Sequence, residues 1–148
     1  MKPPLLFVPL LFSLSQLALA EPRIEVERLE FGSGFAFNQI PVPAKNDVGT
    51  AAQWRLESGT ADSNGGKLAV LHDGLVPAGD DSPRENFFFA ASTDGGSLSV
   101  DLGKPVTIER VGTFSRHNGS RAPQVYSLHG FANDEWKKLA DVDTREKG

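Results

Sequence analysis

The fold is decided by residues 98–136, which read LSVDLGKPVTIERVGTFSRHNGSRAPQVYSLHGFANDEW. Leu98, Val100 and Leu102 alternate with residues that are polar or glycine, which is the period of a strand with one buried face. Proline and glycine in the next three residues interrupt a strand, because proline cannot donate to a ladder and glycine tolerates a turn. The stretch therefore opens with a short strand that ends at a tight connection.

Two further strands are predicted in the same stretch. Residues 106–114 form a second apolar run, which is too rich in β-branched side chains for a good helix. Asn118-Gly119-Ser120 then predicts a loop, and the apolar and polar alternation resumes at Val125 to Leu128. Short strands separated by turn signals every eight to twelve residues are typical of an all-β sandwich or barrel.

The order of these features resembles the discoidin-type domain, also called the coagulation factor C-domain-like or galactose-binding-like β-sandwich. Residues 51–139 carry the resemblance. Its parts are a strand ending in Asp101-Leu102-Gly103, a strand closing on Arg116-His117, then Arg121-Ala122-Pro123, a Tyr126-Ser127-Leu128 strand and a polar turn before Trp136. The family often has a tryptophan where this chain has Phe87-Phe88-Phe89, so the chain departs from the pattern there. The resemblance implies an all-β jelly-roll sandwich whose end loops bind ligands.

The first twenty residues are predicted to be a secretory signal peptide. Lys2 gives a small positive region, Leu5 to Leu14 is an apolar core, and Ala18-Leu19-Ala20 fits a cleavage site. The apolar run is shorter than the roughly 18 residues of a membrane span. We therefore expect a secreted, extracellular or periplasmic protein with no integral membrane segment after cleavage. A retained helical anchor is the alternative.

The composition of the chain limits the chemistry and the binding partners that are expected of it. The chain has 148 residues, a formal net charge of −4 and no cysteine. The missing cysteines exclude disulfides, thiol catalysis and cysteine zinc sites. An acidic chain is a poor partner for nucleic acid or for anionic membranes. We predict a single domain, divided into residues 21–50, with N-terminal strands and a loop, and 51–148, the discoidin-type sandwich.

Four shorter strands are expected before residue 98. They fall at residues 24–31, where a change of parity indicates a bulge or a division into two short strands, at Phe35 to Phe37, at Ala51 to Leu56 around Trp54, and at Leu68 to Leu71 before Asp73-Gly74. The match to the family stops soon after Trp136, within residues 137–142. Relatives usually continue with further strands, which return to pair with the first ones. The jelly roll is therefore either incomplete at its C-terminus, as in a fragment, or completed by residues 24–37.

The loop after Asp73 is a candidate calcium site. Calcium takes hard oxygen ligands from carboxylates and from the carbonyls of a bent loop, and many relatives hold a structural calcium near this loop. The candidate ligands are Asp73, Asp80 and Asp81. The alternative is an Asp-Gly turn with solvated carboxylates.

The candidate ligand-binding residues lie mainly in the loop at 115–122. Arginine supplies fixed donors, while asparagine and neutral histidine each offer a donor and an acceptor, which suits the hydroxyl groups of a carbohydrate. If loops 75–86 and 115–122 meet at one end of the sandwich, as in relatives, a phenylalanine ring joins them. The predicted set is Arg84, Arg116, His117, Asn118 and Arg121. Alternatives are a buried ion pair for Arg121, a strand cap for His117, and a glycan on Asn118, which begins a glycosylation sequon.

The aromatic residues are expected to be mostly core. Trp136 should be buried or half-buried, whereas Phe87, Phe88 and Phe89 cannot all face inward, because strand side chains alternate. The three histidines lack a metal-ligand spacing, and no nucleophile elbow is present. We therefore predict a non-catalytic module that binds carbohydrate or another extracellular surface ligand. The alternative is a structural or interaction domain of a longer secreted protein, without a small-molecule site.

Overall fold

The described part of the chain forms four β-strands and two short 3-10 helices. The computed structural model describes residues 22–29, 37–79, 82–117 and 121–145. Within those ranges the strands are β1 (Gln53–Ser58), β2 (Ser97–Asp101), β3 (Val125–Ala132) and β4 (Glu135–Asp143), and the 3-10 helices are Leu68–Leu71 and Pro83–Glu85. The protein is thus all-β, as predicted. The predicted signal peptide lies outside the described residues.

The first sheet pairs β1 with β2 in antiparallel register. Trp54 lies opposite Val100, and Leu56 lies opposite Leu98. A bulge follows Leu56, and there a Cβ added to Gly96 would come within 2.2 Å of the Ser58 carbonyl oxygen. Only glycine allows this close approach of the two backbones. The strands predicted around Trp54 and at Leu98 are therefore confirmed.

The second sheet is the hairpin of β3 and β4. Asn133 and Asp134 close it with φ angles of 54° and 60°. Positive φ at both central residues gives the tight turn whose twist matches that of the flanking strands. Phe131 lies opposite Trp136, and their rings are 5.2 Å apart. This confirms the strand at 125–128 and the polar turn before Trp136.

Trp54 joins the first 3-10 helix to β1. Its indole Nε1 donates a hydrogen bond to the Gly49 carbonyl at 2.9 Å, and its ring stacks on His72 with centroids 5.3 Å apart. The Leu68–Leu71 segment is a 3-10 helix, so the strand predicted there is wrong. An apolar run of four residues has no period that distinguishes a strand from a helical turn.

Residues 106–117 differ from the sequence prediction as well. They are not assigned to a strand, because no neighbouring segment of the described chain forms a backbone ladder with them. The end of this segment is instead held beside β3 by side chains. The Ser115 hydroxyl donates to the Ala122 carbonyl at 2.6 Å, and the Thr113 and Tyr126 hydroxyls are 3.0 Å apart.

The N-terminal strand at 24–31 is not found in its described part. Residues 22–29 form no strand, and residues 30–36 lie outside the described ranges, as does most of the strand expected at Phe35 to Phe37. The Glu27 carboxylate instead accepts backbone N–H groups from Asn38 at 2.8 Å and from Gln39 and Ile40 at 2.9 Å. Arg28 donates to the Thr144 carbonyl at 2.7 Å. Side-chain bonds therefore replace the expected ladder.

Burial in the described residues is unusual. Within these ranges the buried residues are Pro77, Asn86 and His117, and the last two are each only 6% exposed. Trp136 is 60% exposed, so the expectation that it is buried or half-buried is wrong. Its ring lies near the tip of a two-stranded hairpin, next to the ring of Phe131. The best-enclosed place in the described chain is therefore polar and lies around Asn86.

Candidate functional site

The site is built on an irregular pairing of residues 60–66 with residues 86–90. Backbone N–H groups of Asp62 and Gly66 donate to the carbonyls of Phe88, at 2.9 Å, and Asn86, at 2.7 Å. Ala61 and Phe89 form an antiparallel bridge. Gly66 permits this approach, because an added Cβ would come within 2.5 Å of the Arg84 carbonyl oxygen. The pairing holds the three phenylalanines in fixed positions.

The phenylalanine rings point in alternate directions. Phe87 and Phe89 contact each other edge to face with centroids 5.4 Å apart. Phe88 instead meets His117, at 5.8 Å and nearly perpendicular. This alternation is the one expected of extended backbone. It creates two separate places, which we call the Phe88 cluster and the Arg84 groove.

The Phe88 cluster consists of Asn86, Phe88, Arg116, His117 and Arg121. The Arg121 guanidinium carbon lies 5.4 Å from the centroid of the Phe88 ring, within the range of a cation–π contact. His117 packs against the same ring and is buried. The cluster thus brings together three of the five residues predicted to bind a ligand.

Arg116 has a clear structural task in this cluster. Its Nη1 donates to the Ala78 carbonyl at 2.7 Å and to the Pro77 carbonyl at 3.3 Å. These bonds satisfy carbonyls of the loop that precedes the second 3-10 helix. A planar guanidinium with five donors suits such multiple bonding. Arg116 and the buried His117 therefore shape the loop end, while Arg121 is exposed at its surface.

The Arg84 groove lies on the other side of the pairing. It is an open concavity of about 410 Å³ and is lined, among others, by Leu56, Asp62, Lys67, Leu68, Arg84 and Phe87. The groove combines an aromatic ring and two leucines with one carboxylate and two basic groups. Such a mostly apolar concavity with a few polar groups is the usual form of a small-molecule site.

The predicted binding residues are therefore divided between two places. His117 and Arg121 contact Phe88, and Arg116 is bound by the neighbouring Asn86, whereas Arg84 lines the groove with Phe87. The predicted neighbour Asn118 lies outside the described residues. Another concavity, of about 440 Å³ between residues 23–26 and 39–40, contains no predicted site residue.

The candidate calcium ligands are only partly described. Asp80 and Asp81 lie outside the described residues. The Asp73 Oδ1 accepts the backbone N–H of Leu75 at 2.8 Å, which is the geometry of an Asx turn. No group of three or more metal-binding side chains occurs in the described part of the chain. Asp73 on its own fits the alternative of an Asp-Gly turn.

Three contributors were not identified from the sequence. Asn86 organises the Phe88 cluster, and Asp62 and Lys67 line the Arg84 groove. Gly65-Gly66 is the one local signal for the groove, since adjacent glycines allow a close approach of another backbone. The sequence does not distinguish Asn86 from other loop asparagines, because Arg116, whose backbone it binds, is 30 residues away.

Known proteins add no further constraint on the site. Comparisons of the chain with protein-family models, with curated proteins and with solved structures each return no match. Among the described residues, no helix has the length and apolar character needed to cross a membrane.

Proposed function

We propose that this chain is a secreted, non-catalytic module that binds carbohydrate or another extracellular surface ligand. In this proposal the two small sheets belong to a jelly-roll sandwich of the discoidin type. The all-β content and the loops crowded around Phe87 and Phe88 support that reading. Secretion rests on the leader at residues 1–20, and intact-mass analysis of secreted protein should show a chain beginning at Glu21.

The proposal that the chain binds a ligand is based on the Arg84 groove. A sugar presents hydroxyl groups around its edge and a C–H surface on its face. The groove offers donors from Arg84 and Lys67, an acceptor from Asp62 and the ring of Phe87. Exposed polar contacts exchange with water at small net gain, so we expect an affinity on the order of 0.1–1 mM.

A glycan array tests this function. The purified chain should retain a defined subset of glycans, and Arg84→Gln should weaken that retention without changing stability, since the side chain is exposed. Lys137→Gln on the hairpin is the matched control, because it removes the same charge outside the groove. Retention by Arg84→Gln equal to that of wild type would place the site elsewhere.

A second function is supported by the exposed apolar side chains. Phe131 on β3 is 57% exposed and Trp136 on β4 is 60% exposed, and their rings lie side by side with centroids 5.2 Å apart. Exposed apolar patches of this kind mark surfaces that contact other proteins. The chain would then be a structural or interaction domain of a longer secreted protein. An empty glycan array, together with self-association that Phe131→Ser abolishes, would favour this alternative.

Calcium at the Asp73 loop stays a prediction of the family resemblance. A ligand that binds only the native state raises the melting temperature by mass action. Excess chelator should therefore lower the melting temperature, and Asp73→Ala should have the same effect in the presence of calcium. An unchanged melting curve in chelator would leave Asp73 with its Asx turn alone.

A further inference from the structure

The Arg84 groove carries a positive charge in an acidic protein. The whole chain has a net charge of −4, but the groove has two basic side chains, Lys67 and Arg84, against the single carboxylate of Asp62. Asp62 also accepts the backbone N–H of Asn64 at 2.7 Å. One of its two carboxylate oxygens is thus engaged in holding the turn.

The two basic groups are available to a ligand. No ion pair between described residues involves Lys67 or Arg84, and both residues are exposed. The neighbouring acid Glu85 is engaged elsewhere, since its Oε2 accepts the backbone N–H of Ala78 at 2.5 Å. An anionic ligand could therefore bind both cations in the groove without first breaking an ion pair between described residues.

The positions of these groups are set by the backbone. The Gly66 N–H donates to the Asn86 carbonyl at 2.7 Å. This bond holds the segment that carries Lys67 beside the second 3-10 helix, on which Arg84 lies. The Phe87 ring lies on the groove wall. It suits a ligand with the C–H face of a pyranose better than a ligand whose whole surface is charged. The occupant should thus combine a sugar ring with a negative charge.

We propose that the Arg84 groove selects carboxylate-bearing sugars of the hexuronate class over neutral sugars. This inference rests on the proposed carbohydrate-binding function. Arg84 and Lys67 bind the carboxylate, and Phe87 packs against the ring. Planar guanidinium groups match carboxylates in shape, and charge-assisted hydrogen bonds are stronger than neutral ones.

Calorimetric titration at low salt tests the selectivity with three probes. They are a trisaccharide of galacturonic acid, the neutral trisaccharide of galactose with the same linkage, and tri-glutamate. The uronate should bind about tenfold more tightly than the neutral sugar, as expected for two partly exposed charge contacts. Binding should weaken as salt is added, because exposed charges are screened.

Matched variants locate the binding. Arg84→Gln and Lys67→Gln should each weaken uronate binding about three- to tenfold and affect the neutral sugar less. Lys104→Gln removes one positive charge in the turn after β2, outside the groove, and should leave binding unchanged. Unchanged uronate affinity in both groove variants would overturn the assignment.

The probes separate the ways in which the proposal can fail. Equal affinity for the neutral and acidic trisaccharides would overturn the selectivity and leave the carbohydrate-binding function in place. Equal affinity for tri-glutamate would show that only charge is recognised, which overturns the sugar component. Absence of binding to these sugars and to every glycan on the array would overturn both proposals.

Discussion

The side-chain amide of Asn86 binds both backbone groups of Arg116. Its Oδ1 accepts the Arg116 N–H at 3.1 Å, and its Nδ2 donates to the Arg116 carbonyl at 3.0 Å. The same Nδ2 donates to the Ser82 carbonyl at 3.1 Å. The Asn86 side chain thus supplies Arg116 with the two backbone hydrogen bonds that a neighbouring strand would otherwise provide.

Asn86→Ala should destabilise the protein by about 2–3 kcal/mol, since the backbone groups of Arg116 would lose their partners in a part-buried place. Urea denaturation followed by fluorescence measures this difference. Asn64→Ala, on an exposed turn, is the control and should change stability by less than about 0.5 kcal/mol. Equal effects of the two substitutions would contradict the role of Asn86.

Glu27 should make stability depend on pH in the acidic range. The hydrogen bond from the Asn38 backbone, with those from Ile40 and Gln39, lowers the pKa of the Glu27 carboxyl. Because the carboxyl has a lower pKa in the folded protein, its ionised form stabilises the fold at pH values above the unfolded-state pKa, which is about 4.3 for glutamate. This stabilisation is lost as the pH falls through the folded-state pKa.

The melting temperature of wild type should therefore fall more steeply below about pH 4.3 than that of Glu27→Gln, whose side chain has no carboxyl to protonate. Calorimetric scans between neutral and acidic pH measure the difference. Glu109→Gln is the control at an exposed position and should keep the wild-type pH profile. Parallel profiles for wild type and Glu27→Gln would refute the prediction.

Asp134→Gly should stabilise the hairpin by about 0.5–1 kcal/mol. Asp134 has a φ of 60°, a conformation in which glycine lacks the steric cost of a side chain, and Asn-Gly is the preferred pair for such a turn. The gain is partly offset by the greater freedom of glycine in the unfolded chain. Thermal unfolding measures it. Asp94→Gly, in an exposed loop, carries only that entropic cost and should be neutral or slightly destabilising.

Gly96→Ala should destabilise the first sheet by about 1–3 kcal/mol. The added Cβ would lie 2.2 Å from the Ser58 carbonyl oxygen and 2.4 Å from the Phe89 ring, so the strands must separate. Gly112→Ala is the control, because its nearest contact is a phenylalanine side-chain atom at 3.3 Å. Thermal melts of the two variants should differ by several degrees. Similar melting temperatures would mean that β1 and β2 adapt without cost.

The sequence by itself determined the elements whose signals are local. The alternation at Leu98, Val100 and Leu102 predicted β2, and the polar pair Asn133-Asp134 marked the turn of the hairpin. The order of Phe87, Phe88 and Phe89 was enough to predict that their rings divide between two sides. Each of these features depends on neighbours along the chain.

Only the tertiary structure decided which segments have partners. The β-branched run at 106–114 has the composition of a strand, yet no described segment supplies the ladder that a strand requires. The Arg84 groove joins Arg84 and Phe87 to residues 61–68, which come from an earlier segment of the chain. A hydrogen-bonded ladder and a concave site both need two distant segments to meet. Their meeting depends on the packing of the whole chain, which no local pattern encodes.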